Sequence, residues 1–118
     1  MIKRESILTY VKNKFDTKPD HPWPKYPEYE VLRHKDSGKW YGLIMKVARV
    51  KLGLTGKGRA EILNLKCDLE LNGLLRGQEG ILPVYHMNKE RWITIVLEIS
   101  FPEDEIYNLI NMSYDLTK

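Results

Sequence analysis

The sequence predicts an α+β fold: a single, mainly antiparallel sheet of about five strands flanked by N- and C-terminal helices. Three observations carry this expectation. Apolar residues recur at helical spacing near both ends of the chain. Short β-type runs fill the middle. Most links between those runs are of hairpin length and rich in turn residues, which favours neighbouring antiparallel strands covered by helices.

The elements follow in order. Residues 3–15, KRESILTYVKNKF, set Ile7, Leu8, Val11 and Phe15 on one side and charges on the other, an amphipathic helix. The next segment holds Pro19, Pro22, Pro24 and Pro27. Proline lacks an amide hydrogen and restrains its predecessor, so this is an extended connection, with Trp23 and Tyr26 expected to pin it to the body. YEVLRHK (29–35) reads as a strand, DSGK as a turn and WYGLIMKV (40–47) as the second strand of a hairpin. Strict alternation puts Tyr41, Leu43, Met45 and Val47 on one face, and Trp40, Gly42, Ile44 and Lys46 on the other. ARVKLGLTGKGRA is glycine-rich and basic, but it lacks the GxxxxGK[ST] spacing of a phosphate-binding loop, so a long hairpin loop is expected. AEILNLKC (60–67) is a third strand. DLELNGLLRGQEG holds a short helix with Asp68 as its cap and Gly77 or Gly80 at its end. ILPVYH (81–86) and RWITIVLEI (91–99) are strands four and five, with Pro83 marking the fourth as an edge strand or as irregular at that point. Pro102 and three acids open a final helix near 103–115, with Ile106, Leu109, Ile110 and Tyr114 on one stripe. The core should include Ile7, Val11, Leu43, Met45, Ile95, Leu97, Ile106 and Ile110.

Composition bounds the function. At 118 residues and 42% hydrophobic, the chain suits one domain, residues 1–118, with one core. The lone Cys67 leaves no internal disulfide, no apolar leader segment opens the chain and no run approaches a membrane span; a cytoplasmic protein without a membrane partner is expected. The net charge of +3 is unevenly spread. Residues 1–92 carry 18 Lys/Arg against 11 Asp/Glu (+7), and residues 93–118 carry one Lys against five acids (−4). A basic body suits an anionic partner, although an ordinary solvated surface collects the same residues.

The candidate chemistries differ in support. His21, His34, His86 and Cys67 form no close ligand pair, so no metal site is expected. Cys67 ends an apolar strand, where a lone cysteine is generally a small buried hydrophobe rather than a nucleophile. Glu103, Asp104 and Glu105 complement a helix start rather than forming an acid–base pair. Nucleic-acid contact requires cations for phosphates and flat rings for bases. Arg33, Lys39, Trp40, Lys46 and Lys66 on the strands, with His86, Asn88, Lys89, Arg91 and Trp92 at the 85–92 connection, supply both. On the residues alone, a nucleic-acid site and a merely solvated sheet face stand level. A module for an acidic protein or small anion, and a cleft around Lys66, His86 and Lys89, also stay open.

PDHPW, LRHKDSGKWYGLIMKV, LNLKC, PVYHMNKERWITI and the final SYDLT resemble the MmcQ/YjbR family of small bacterial proteins over nearly the whole chain. That resemblance implies a curved antiparallel sheet flanked by helices, similar to double-wing phage transcription factors and the frataxin-like grouping. Through that fold similarity it further implies a DNA-binding role; no particular activity or cofactor follows from the resemblance.

Overall fold

The computed structural model describes residues 2–85, 87–99 and 101–118. Helix α1 (Arg4–Phe15) buries Ile7 and Val11 and stops where Asp16 turns into the left-handed region at φ 55°. There the Asp16 and Thr17 amides cap the Lys12 and Val11 carbonyls. Aspartate tolerates this conformation better than most residues. The proline-rich connection then runs alongside strand β1 (Glu30–Arg33), bridging to it at Asp20↔Val31. Trp23 packs edge-on against Tyr29 and Trp40, with ring centroids 5.9 and 5.7 Å away. Tyr26 stacks on Tyr29 but stays half exposed, so Trp23 is the firmer anchor.

Strand β2 (Trp40–Ala48) pairs antiparallel with β1 and with β3 (Arg59–Lys66). The β2–β3 link forms a 3-10 turn over Arg49–Leu52 and three left-handed glycines, closing as a hairpin with Ala48 opposite Arg59. Helix α2 (Leu69–Leu75) is capped by the Asp68 carboxylate, which accepts from the Leu71 amide at 2.8 Å. It ends before either expected glycine. Strands β4 (Ile81–Pro83) and β5 (Trp92–Val96) and helix α3 (Glu103–Leu116) complete the chain.

The sheet order is β1-β2-β3-β5-β4, and every pairing is antiparallel. β5 sits inside because Ile93, Thr94, Ile95 and Val96 are all fully buried. β4 takes the edge, where Pro83 leaves no ladder hydrogen missing. Both strands are shorter than the sequence suggests. The Tyr85 amide leaves the ladder to donate to Thr94 Oγ1, and after Val96 the chain turns as the Ile99 amide donates back to the Val96 carbonyl.

Two expectations require correction. First, β2 does not alternate throughout. Leu32 faces Gly42 but Arg33 faces Trp40, so Tyr41 is an extra, bulged residue. The bulge turns Tyr41 into the helix-side core with Ile44, and turns Trp40 to the other face with Leu43 and Met45. Second, the helix-free face is not the solvated sheet face that stood as one of the two readings, because much of it is covered. Val31, Leu43, Met45, Val47, Ile62 and Val96 bury it beneath Trp23, Tyr29, Leu52, Leu54, Tyr85, Met87 and Ile99. The eight expected core residues are all buried. Arg4 ties the helix layer to the sheet through Glu30 (2.9 Å) and Glu61 (3.4 Å).

Candidate functional site

At one end of the sheet, the row Arg33, Trp40, Lys66, Trp92 emerges from the covered face. Trp40 reaches it through the bulge. Lys66 and Trp92 are direct cross-strand partners on β3 and β5. Lys39, Trp40, Lys66 and Trp92 line one hollow of about 470 Å³ together with Met87, Leu116, Thr117 and Lys118. Among the described residues, no Asp or Glu lines it.

Helix α3 reaches this hollow because Ser113 is fully buried against the strand ends. Its hydroxyl donates to the bulged Tyr41 carbonyl and accepts from the Lys66 amide at 2.9 Å. One turn later, Thr117 Oγ1 donates to the Ser113 carbonyl (2.8 Å). With that hydrogen committed, His34 Nε2 is the donor across the 2.7 Å contact to Thr117 Oγ1. His34 packs against the Tyr41 and Tyr114 rings, and burial holds its pKa below the usual histidine range. Burial likewise pushes Tyr41 up to about 12, while its hydroxyl meets Thr17. Thr117, which lines the hollow, is therefore held from behind by hydrogen bonds to His34 and Ser113, and Ser113 in turn bonds the Tyr41 carbonyl. The acids at the start of α3 lie at its far end, about 20 Å away for a helix of this length.

The cations differ in their compensation. Arg4, Arg33, Lys35, Arg49, Arg59 and Lys118 each have an acid within ion-pair distance. Among the described residues, Lys39 and Lys66 have none. Arg33 also lies over the Trp40 ring, 5.4 Å from its centroid, and bonds Asp20 and the Gly38 carbonyl. It braces Trp40 rather than facing outward as a free cation.

The remaining candidates separate from this group. Lys46 points to the opposite face, into a hollow with Ile2, Lys3 and Glu5. Asn88 shapes the turn: its side chain accepts from the Glu90 amide and its carbonyl from the Arg91 and Trp92 amides. Arg91 is exposed, and its carbonyl accepts from the Cys67 amide. Lys89 lies on a neighbouring hollow, and its carbonyl accepts from Asn72. His86 lies outside the described residues. Met87, Leu116, Thr117 and Lys118 were not anticipated; their local sequence carries no chemical signal, and only the packing of α3 brings the last three here.

Other chemistries find little support. Cys67 is buried at the end of β3, and burial raises its thiol pKa. Among the described residues, no three His, Cys, Asp or Glu side chains converge as a metal set. No helix among those residues is long and apolar enough to cross a membrane.

The YjbR family model matches residues 12–116. The chain belongs to the YjbR family. It is 58% identical over 118 residues to YyaQ of Bacillus subtilis strain 168, covering all of both chains. It is 42% identical over 90 residues to YjbR of Escherichia coli K12, covering 75% of this chain and 74% of that one. A Pseudomonas syringae protein of known crystal structure superposes with a TM-score of 0.96 at 46% identity, over 99% of this chain and 100% of that one. A Deinococcus radiodurans protein, at 24% identity and a TM-score of 0.70 over 95% of this chain and 76% of that one, shares the fold. The sheet and three helices described above are thus a YjbR-family architecture. In this YjbR chain the hollow is built from the GKWYG strand start, the LKC strand end and the RWI strand start.

Proposed function

We propose that this YjbR-family protein is a non-enzymatic nucleic-acid-binding protein of the cytoplasm, and that the hollow at the sheet end is its contact site. The observation that carries this reading is the convergence of two indoles with Lys39 and Lys66, which among the described residues have no acid within ion-pair distance, in a hollow that no described Asp or Glu lines. Ammonium groups displace counterions from phosphates, and indole faces stack on bases. The contact site is narrower than a whole sheet face, since the rest of that face is covered.

Fluorescence anisotropy with labelled DNA at low and moderate salt tests the reading. Wild type should bind at micromolar protein in low salt, with affinity falling steeply as salt rises. Lys66→Ala should weaken binding about equally across sequences and reduce the salt slope by about one unit on duplex. Lys46→Ala should change little, because Lys46 lies on the opposite face. Absence of binding at low salt would refute the proposal. A protein partner would then be the better reading, favoured by the exposed Leu69 and Leu74 on α2.

A further inference from the structure

Beside the tryptophan hollow lies a second one of about 470 Å³, floored by Leu52, Leu82, Pro83 and Tyr85, with Lys51 and Lys89 on its lining. Met87 lines both hollows, so they adjoin. Among the described residues, no Asp or Glu lines either. The second lysine pair comes from distant parts of the chain: Lys51 from the 3-10 turn after β2, and Lys89 from the connection before β5. Neither has an acid within ion-pair distance among the described residues. Each hollow thus sets apolar or aromatic lining beside two ammonium groups, Lys39 and Lys66 in the first and Lys51 and Lys89 in the second, with no acid within ion-pair distance among the described residues.

We infer that the ligand of this surface is an unpaired strand of nucleic acid, lying from the Lys39–Lys66 hollow across Met87 into the Lys51–Lys89 hollow. The inference rests on the nucleic-acid reading above and narrows it from nucleic acid in general to single strands. A duplex keeps its base faces stacked and turns only base edges and phosphates outward, so it would meet the lysines and leave the apolar floors empty. An unpaired strand presents both components at once. Its bases lie over Trp40, Trp92 and Met87, and its phosphates reach the lysines on either side. Trp92 suits this role because, among the described residues, its ring stacks on no other aromatic. The charge is also matched: cations without a carboxylate complement a polyanion and disfavour an acidic-and-basic protein surface.

The test uses the full chain with fluorescein-labelled dT12, rU12, dT3 and a blunt 12-base-pair duplex, with dTMP as competitor. Anisotropy and intrinsic tryptophan fluorescence are both read. Binding of dT12 or rU12 at least about tenfold tighter than the duplex, with tryptophan quenching, supports the inference for that sugar. Lys51→Ala and Lys89→Ala should weaken 12-mer binding about fivefold and lower its salt slope by about 0.7, while leaving dT3 unchanged. Lys66→Ala should weaken both lengths. Trp92→Ala should weaken both about tenfold and reduce the quenching, leaving the part due to Trp40. Because Trp92 is partly buried, the lysine variants carry the conclusion should that protein fail to fold. Equal or tighter duplex binding overturns the single-strand inference and leaves the nucleic-acid reading standing. Tight dTMP binding with no gain from chain length overturns both in favour of a small-anion site. Absence of binding to every probe also overturns both.

Discussion

Replacing Thr94 by Val removes one hydroxyl from the centre of the sheet and hardly changes its shape. Thr94 Oγ1 donates to Asn64 Oδ1 at 2.6 Å and accepts from the Tyr85 amide at 2.9 Å. Asn64 in turn donates to the Tyr85 carbonyl at 3.1 Å. Thr94 and Asn64 are fully buried, so water cannot replace the lost partner of Asn64 Oδ1. Leaving a buried polar group unpaired costs about 1–3 kcal/mol. The Tyr85 amide, in a partly buried bond, adds a smaller loss. The new methyl offsets about 0.8 kcal/mol of this by apolar burial. The net expectation is about 2 kcal/mol of destabilisation. Folding entropies of about 2.1 cal/mol/K per residue make 1 kcal/mol equivalent to about 4 °C at this length, so Tm should fall by about 8 °C. Urea unfolding and calorimetry of wild type and Thr94→Val measure this. Asn64→Leu and the double variant complete a cycle, in which the two losses should fall short of additive by about 1 kcal/mol. A Thr94→Val loss below about 0.5 kcal/mol, or strict additivity, would refute the reading that Thr94 and Asn64 hold the Tyr85 backbone to the sheet.

Three further outcomes are expected. Gly42→Ala should destabilise by about 1–3 kcal/mol in urea unfolding, because the new Cβ would lie 2.9 Å from Leu32 Cδ1 and Leu32 is fully buried; a neutral result would show that the β1–β2 packing yields easily. His34 is held neutral by burial, so its folded pKa lies below its unfolded value of about 6.5. The unfolded chain therefore takes up the proton first, and stability should be unaffected above that pH and decline as pH falls from it toward the depressed folded pKa. Tm measured from pH 8 to pH 5 should fall more for wild type than for His34→Gln, and parallel curves would exclude the effect. Cys67 should react with a disulfide reagent on the order of 100-fold more slowly in the folded protein than in denaturant at the same pH, since burial raises its pKa and blocks access; equal rates would contradict its burial.

By itself, the sequence determined most of the local structure and which side chains stood as candidates. Helical spacing of Ile7 and Val11, and of Ile106 and Ile110, specified helices and their buried sides, because a 3.6-residue period leaves one stripe to cover. Asp68 capped α2 because its carboxylate accepts an otherwise unpaired amide, and Pro83 marked an edge because it cannot donate to a ladder. Lys39, Trp40, Lys66 and Trp92 could be named as candidates from residue type. Only the tertiary structure decided which candidates meet. The Tyr41 bulge exchanges the faces of two neighbouring residues, and it is a property of strand pairing rather than of either strand. The insertion of β5 between β3 and β4 places Trp92 opposite Lys66, a contact made across the sheet between segments about 26 residues apart. Ser113 and Thr117, silent in the local pattern, bring Leu116 and Lys118 to the hollow by satisfying buried groups on other elements. The same packing sends Lys46 to the far face and gives Asn88 to its own turn. Periodicity reports what one segment must bury, whereas a site depends on which segments are neighbours, and long-range packing alone determines that.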